Sequence, residues 1–207
     1  MKIKERPILF SAPMVRAILD GQKTQTRRVI TGKYADPVSG LDKSFAKINC
    51  RYGQPGDQLW VRESWRTSLC ADDRPPRETK DHGLPFWYEA DDQCKWTGAT
   101  SGGPSFITPG KLRPPIHMPR WGSRITLEIT GIRIQRLQDM SEEDARAEGI
   151  TDGGCLNCGN SEPCGCSNPQ PDARDSFIWL WGSINGKAPG KSWIDSPWVW
   201  VVEFRRK

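Results

Sequence analysis

The chain has 207 residues, a net charge of +5 and 36% hydrophobic residues, and this length favours one domain, with or without long insertions. The composition is not that of a disordered chain, and ten Trp residues exceed the needs of a modest core, so we expect some to line a surface or cleft. No apolar run reaches the roughly 20 residues that cross a bilayer, and the N-terminus lacks the apolar core of a signal peptide, so a soluble, cytoplasmic protein is expected.

The positive charge is concentrated at the N-terminal end. Residues 1–33 contain eight Lys and Arg against two acidic residues, so this segment carries +6 while the remainder is close to neutral. Clustered cations attract phosphate-rich partners over a Debye length of ~10 Å. The charge therefore predicts a polyanionic partner, with an ordinary solvated basic face as the alternative.

The first predicted elements are a short strand over residues 7–10 and a short helix. Ser11 and Pro13 are typical of a helix start, with Ser as the cap and Pro in the first turn. Gly21 can supply the left-handed C-terminal cap of this helix. Residues 58–65 then alternate as a strand does. One side of that strand carries Leu59, Val61 and Glu63, and the other carries Trp60, Arg62 and Ser64.

The middle of the chain is predicted to be irregular before strands return. Residues 66–120 are rich in Pro, Gly and charge, and we interpret them as a long insertion. Apolar and β-branched residues alternate with polar ones over 124–129 and over 132–137, on either side of Gly131. These two runs predict a two-stranded ribbon.

The C-terminal third predicts two helices and a closing strand. Ser141 and Asp144 resemble a capping box that opens a short helix, which ends at Gly149. Apolar residues at i, i+3, i+4 and i+7 over 177–184 predict an amphipathic helix, and the apolar run 198–204 suits a buried strand. About five strands and three short helices favour an α+β barrel over a doubly wound sheet.

A distinctive motif follows the first helix. Gly21, Lys23, Thr26 and Arg28 have the spacing G-x-K-x-x-T-x-R. In an extended segment Lys23 and Thr26 point to opposite sides, so they meet only if the backbone turns, as Gly21 permits. This spacing resembles the signature of the ASCH family, which has Glu or Thr at the position of Thr26.

Three later segments occur in the same order as in that family. They are Gly56-Asp57 before a strand, Ser141 to Glu148 after the central ribbon, and the closing strand Val199 to Phe204. With Arg62-Glu63-Ser64-Trp65, the arrangement looks most like phage and prophage ASCH proteins. The resemblance implies one PUA-like domain over residues 1–207, a mixed β-barrel with short helices. Relative to the compact form, 66–120 is a Pro- and Gly-rich insertion and 151–174 a Cys-rich insertion loop.

One branch of the ASCH family removes the acetyl group from N4-acetylcytidine with a Lys, a Thr and a Glu and without a metal. Matched by motif, these residues are Lys23, Thr26 and Glu148, so no catalytic cofactor is expected. Lys23 would act as base, Thr26 as nucleophile and Glu148 as the group that positions or protonates the nucleobase amine. Arg28 would hold a phosphate or the developing oxyanion. The competing interpretation is a solvated Lys23, a plain strand residue at Thr26 and an exposed Glu148.

A second set of residues interleaves cations with aromatic rings. Such a set can stack a base and hold its phosphate, with stacking worth ~1 to 3 kcal/mol per base. Anchoring of the 66–120 insertion is the alternative. The set comprises Arg62, Glu63, Trp65, His117, Arg120, Trp121 and Arg124.

Four of the seven Cys residues lie within twelve positions, namely Cys155, Cys158, Cys164 and Cys166. Four thiolates suffice for a tetrahedral structural zinc, which would lie outside the chemistry because the loop is an insertion. Reduced surface thiols are the alternative.

Taken together, the sequence predicts an ASCH protein that binds RNA or a modified nucleoside, in a bacterial or phage-infected cell and without a membrane partner. A metal-independent amidohydrolase acting on N4-acetylcytidine is the enzymatic hypothesis. A non-catalytic RNA-binding module and a phage morphogenesis or interaction accessory protein are the alternatives.

Overall fold

A computed structural model of the chain describes residues 3–31, 44, 49–79, 84–96, 108–151, 154–160, 164–170 and 172–207. Parts of both predicted insertions, residues 80–83, 97–107, 152–153, 161–163 and 171, lie outside the described residues. The strands are β1 (Glu5–Leu9), β2 (Gln25–Val29), β3 (Gln58–Arg62), β4 (Trp65–Arg66), β5 (Pro85–Tyr88), β6 (Cys94–Trp96), β7 (Thr126–Arg136) and β8 (Trp198–Arg206). The α-helices are α1 (Ala12–Leu19), α2 (Glu142–Ala147) and α3 (Ala173–Asn185). Among the described residues, none of these helices has both the length and the apolar character that a membrane span needs.

The chain divides into two compact units. The first unit comprises Met1–Leu19, Gln58–Leu127 and Arg206–Lys207, and the second comprises Asp20–Asp57 and Glu128–Arg205. We describe each unit by itself.

In the first unit, β1 and β3 pair in parallel, in a register that runs from Glu5 opposite Gln58 to Leu9 opposite Arg62. Because strand side chains alternate, Ile8 and Val61 are buried on one face, while Leu9 on the other face is 46% exposed. Helix α1 begins after Ser11, as predicted.

A second, antiparallel sheet of β4, β5 and β6 lies largely within the segment predicted to be an irregular insertion. A buried cluster of Trp65, Phe86, Tyr88 and Met118 fills one side of it. The predicted strand over 58–65 was therefore too long, since β3 ends at Arg62 and Trp65 pairs with Tyr88 in the other sheet. Burial alternates from Val61 to Thr67 through this change of sheet, although Arg62, Glu63 and Ser64 are three polar residues in succession.

In the second unit, β2 pairs antiparallel with β8, from Gln25 opposite Glu203 to Val29 opposite Val199. Strand β7 is continuous through Gly131, so the predicted two-stranded ribbon was wrong. A Cβ atom at Gly131 would lie 2.4 Å from Oε2 of Glu203. This atom is the end of a flexible side chain, and Gly131 lies inside a continuous strand and does not form a turn.

Helix α2 has the predicted capping box, in which the Ser141 hydroxyl accepts from the Asp144 amide and the Asp144 carboxylate accepts from the Ser141 amide. Helix α3 buries Phe177 and Trp181 against the β8 residues Val199 and Val201. Ile184, predicted to share this buried face, is 57% exposed. The buried residues of this helix, Ala173, Phe177 and Trp181, are spaced by four positions, and Ile184 does not continue that series.

The strands pair in parallel in the first unit, between β1 and β3, and antiparallel in the second, between β2 and β8. Mixed parallel and antiparallel strands with a few short helices confirm the α+β class. Closure into a barrel remains a prediction.

Candidate functional site

The motif residues lie where β2 meets the end of α2 in the second unit. Lys23 forms an isolated antiparallel bridge with Glu148, which directly follows α2. The Thr24 amide also donates to the carbonyl of Ala147 at 2.8 Å. These backbone contacts fix the two side chains opposite each other although they are 125 residues apart in the sequence.

Lys23 and Glu148 form a buried ion pair. The Lys23 Nζ donates to the Glu148 Oε2 at 2.6 Å and to the Glu148 carbonyl at 2.8 Å. The Lys23 side chain is fully buried, and the Glu148 side chain is 4% exposed. Arg27 Nη1 donates to the other carboxylate oxygen at 3.0 Å. Each oxygen of Glu148 therefore faces its own cation.

Arg27 links this pair to a second carboxylate, because its Nη2 lies 2.8 Å from Oδ2 of Asp144. Asp144 also accepts from Gln25 Nε2 at 3.1 Å and from Arg133, and Arg133 donates to Glu203 at 3.1 Å. We call the resulting set of three cations and three carboxylates the charge network. It comprises Lys23, Arg27, Arg133, Asp144, Glu148 and Glu203.

Burial and charge act in opposite directions on the members of this network. Burial lowers the pKa of the Lys23 amine, and the Glu148 carboxylate, which favours the charged amine, offsets only part of this effect. Burial raises the pKa of Asp144, but the hydrogen bond from Arg133 and the charge of Arg27 outweigh it, so the pKa lies below its usual range. Charges of both signs thus compensate each other within the chain.

Thr26 makes none of the ion pairs of this network. Lys23, Gln25 and Arg27 all reach toward α2, so the alternation of β2 turns Thr26 to the opposite face. Thr26 is 1% exposed, and its hydroxyl has no hydrogen-bond partner among the described residues. Arg28 donates to the Arg27 carbonyl at 3.1 Å. The structure therefore brings Lys23 and Glu148 together and separates Thr26 from them.

The sequence analysis missed Arg27, Gln25 and Arg133 as members of this site. The alternation of β2 was the available signal, because it places residues 23, 25 and 27 on one side. Asp144 was recognised only as a helix cap, and its second role requires the fold.

Several residues of the predicted second set are engaged in packing within the first unit. Trp65 is fully buried and stacks on Phe86 with ring centroids 4.3 Å apart, and Trp121 meets the edge of Phe86. Glu63 is buried and accepts two hydrogen bonds from Arg124, at 3.0 and 2.9 Å. Burial raises the pKa of Glu63, although Arg124 opposes this effect.

The remaining members of that set are more accessible. The Arg62 guanidinium lies 4.6 Å from the Trp60 ring centroid, and that of Arg120 lies 5.8 Å from it. Arg120 also pairs with Glu5 at 2.9 Å. His117 is exposed at the end of the short 3-10 turn Pro115–His117.

The four cysteines of the Cys-rich segment form a compact cluster in the second unit. All four Sγ atoms lie within 4.8 Å of one another, and the Cys155–Cys166 and Cys164–Cys166 separations are 3.7 and 3.4 Å. Tetrahedral zinc with Zn–S bonds of about 2.3 Å requires S···S distances of about 3.8 Å. The four thiols of Cys155, Cys158, Cys164 and Cys166 could therefore hold a metal ion.

The backbone around Cys155 also suits a thiolate ligand. The Gln170 amide donates to the Cys155 Sγ at 3.2 Å and, with other backbone amides, lowers the pKa of this thiol to about 6. Gly159 has a φ of +73°, and its amide closes a tight turn onto the Cys155 carbonyl at 2.7 Å. A left-handed residue at this point lets the turn bring Cys158 toward Cys155.

Comparisons with known proteins leave the family unassigned. No family model and no curated protein matches the chain. Among solved structures, it is similar to the crystal structure of an ASCH domain from Lactobacillus crispatus JV V101, at 11% identity and a TM-score of 0.38. That match covers 98% of this chain and 79% of the other. A TM-score this low does not establish a shared fold, so the ASCH resemblance rests on the sequence motifs.

Proposed function

We propose that this protein is an ASCH-type domain that binds RNA or a modified nucleoside. The observation that carries the proposal is the 2.6 Å contact of Lys23 with Glu148, two residues 125 positions apart that the resemblance to the amidohydrolase branch of the family assigns to one site. Residues 1–33 carry a charge of +6, and because Lys23 and Arg27 are buried and paired within the chain, support for a polyanionic partner comes from the other cations of this segment. Arg62 and Arg120 beside Trp60 add accessible cations in the first unit.

RNA binding is tested with a fluorescently labelled single-stranded RNA titrated with the protein over a series of salt concentrations. We expect the affinity to fall linearly on logarithmic axes as salt rises, because phosphate contacts release counterions. A labelled neutral polymer of similar size is the control. Equal affinity for RNA at all salt concentrations, or no affinity, would contradict the proposal.

A second candidate function is hydrolysis of the N4-acyl amide of N4-acetylcytidine, favoured by the buried Lys23 with its lowered pKa. Neutral Lys23 would take the proton of the Thr26 hydroxyl, whose oxygen would attack the acyl carbon. Lys23 would pass this proton to Glu148, 2.6 Å away, and as the C–N bond breaks Glu148 would donate it to the departing N4. Water would hydrolyse the acyl ester of Thr26. This sequence requires β2 to rearrange, because Thr26 and Lys23 lie on opposite faces of the strand.

Chromatographic detection of cytidine after incubation with N4-acetylcytidine tests this activity. We expect Lys23→Ala and Thr26→Val each to abolish turnover, while Lys187→Ala, which removes an exposed amine of the second unit, leaves it unchanged. Circular dichroism shows whether each variant is folded. Turnover retained in a folded Lys23→Ala protein would exclude this mechanism.

For the cysteine cluster we propose a structural zinc ion held by Cys155, Cys158, Cys164 and Cys166. The bound ion would stabilise the loop through four Zn–S bonds and contribute to folding. Elemental analysis should find about one zinc per chain and a large loss in Cys158→Ser. Cys70→Ser, which removes an exposed cysteine outside the cluster, is the matched control. A purified wild-type protein that contains no zinc and gains none on dialysis would contradict this proposal.

A further inference from the structure

Arg62 lies on the accessible face of the paired strands β1 and β3 in the first unit. The parallel register sets Pro7 beside Trp60 and Leu9 beside Arg62. Pro7 and Leu9 are exposed, so this face of the two strands borders solvent. We call the patch formed by Trp60, Arg62 and Arg120 the Trp60 surface.

The Arg62 guanidinium has no partner of opposite charge within the described part of the chain. Its Nε is buried without a hydrogen-bond partner there, and burial lowers its pKa. The Nε atom has no accessible surface, so an acceptor from solvent would meet the terminal Nη1 and Nη2 groups of this half-buried side chain. Arg62 therefore has both the charge and the free donors that an anion requires.

Two carboxylates of this unit, those of Glu63 and Glu5, are engaged with other arginines. Glu63, the next residue in the chain, gives both of its oxygens to Arg124 at 3.0 and 2.9 Å. Glu5 accepts from Arg120 at 2.9 Å. Glu5 and Glu63 are thus held by other arginines, and none of the ion pairs formed by the described residues includes Arg62.

Trp60 holds the guanidinium of Arg62 without occupying its donors. A cation–π contact, here 4.6 Å from the ring centroid, uses the charge of the guanidinium and leaves its N–H groups for an acceptor. Arg120 brings a second guanidinium to within 5.8 Å of the same ring, and its side chain is 45% exposed. With Glu5 included, the patch keeps a net charge of +1.

We infer that the Trp60 surface binds a backbone phosphate of RNA, with Arg62 as the principal phosphate ligand. This inference rests on the proposed function, and it names a side chain that would contact the bound RNA. Guanidinium groups match the geometry of phosphate oxygens. Trp60 is only 8% exposed, so the ring is unavailable for base stacking. The contact therefore adds affinity without sequence preference.

The test is fluorescence anisotropy of a labelled single-stranded RNA with wild-type protein, Arg62→Ala, Arg62→Lys and Arg120→Ala. We expect Arg62→Ala to weaken binding about tenfold, in line with loss of a charge-assisted hydrogen bond. The slope of log affinity against log salt should fall by about 0.7, the value for one phosphate of a single strand. Arg62→Lys should recover the slope and only part of the affinity, because it restores the charge without the planar fork.

Arg77→Ala is the matched control, since Arg77 belongs to the same unit, is 83% exposed and pairs only with the neighbouring Glu78 among the described residues. We expect it to change the affinity less than about twofold. Should Arg62→Ala fail to fold, Arg120→Ala is the variant that tests the inference. We expect it to show a smaller loss of RNA affinity and a smaller fall in the slope of log affinity against log salt.

The outcomes separate this inference from the proposed function. If wild-type protein does not bind RNA, the proposed function fails and this inference fails with it. If wild-type protein binds RNA but Arg62→Ala, or Arg120→Ala in its place, binds with the same affinity and the same salt slope, only the inference is overturned. A slope that falls in Arg62→Ala and returns in Arg62→Lys supports it.

Discussion

The charge network of the second unit and the Trp60 surface of the first unit treat arginine and lysine in opposite ways. In the network, Lys23 and Arg27 are fully buried, and each faces a carboxylate of the same chain. On the Trp60 surface, Arg62 is half-buried and has no counter-ion among the described residues. Cations that are paired with carboxylates of the same chain fix the geometry of a strand and a helix, whereas a cation without such a partner near solvent is available to a ligand.

The largest expected effect comes from breaking the network at its centre. Glu148→Ala removes the carboxylate that faces both Lys23 and Arg27, and leaves buried cations without their partner. We expect the free energy of unfolding to fall by about 3–5 kcal/mol. Urea denaturation followed by circular dichroism measures the change.

Glu128→Ala is the control for this experiment, because Glu128 pairs with Arg205, whose side chain is 70% exposed. That surface pair should contribute less than about 1 kcal/mol. A Glu148→Ala protein as stable as the Glu128→Ala protein would show that water reaches Lys23, and the contrast between the two regions would disappear.

A smaller effect, dependent on pH, is expected at Asp144. Its folded-state pKa lies below the unfolded value because Arg133 and Arg27 outweigh the effect of burial. Its carboxylate therefore stabilises the folded state above the unfolded pKa of about 3.9, and this contribution is lost as the pH falls through the lower folded pKa. Asp144→Asn should reduce stability at neutral pH and flatten the acid limb of the curve.

Unfolding free energies of wild-type protein and Asp144→Asn, measured by urea denaturation between neutral pH and about pH 2, test this prediction. Asp139→Asn, which alters an exposed residue near the same helix, serves as the comparison. Parallel pH curves for wild type and Asp144→Asn would show that the carboxylate has the same pKa in both states.

The elements of the fold were largely predictable because local signals were strong. Ser141 and Asp144 formed the expected capping box, and the apolar run before residue 204 became β8. Gly131 suggested a turn because the strand that continues through it is stabilised by pairing that no local pattern records. The change of sheet coincides with three polar residues in succession, Arg62, Glu63 and Ser64, which the strand prediction passed over.

The candidate site was predictable only in part. Alternation indicated that Trp60 and Arg62 share one face, and motif matching named Lys23 and Glu148. Neither signal could show that Arg27 would bridge to Asp144, since that contact depends on the docking of α2 against β2. The absence of an ion-pair partner for Arg62 in the described ranges is likewise a property of three-dimensional neighbours.

The smallest expected effect is the stability change on removing Arg62. Arg62→Met retains an aliphatic contact with Trp60 and removes donors that have no partner in the described structure. We therefore expect the free energy of unfolding to change by less than about 1 kcal/mol. Arg124→Met, which strips the buried Glu63 of its partner, should cost about 3–5 kcal/mol in the same urea experiment. A loss in Arg62→Met as large as that in Arg124→Met would mean that the Arg62 charge is satisfied within the folded chain, and the case for an external anion would lose its physical basis.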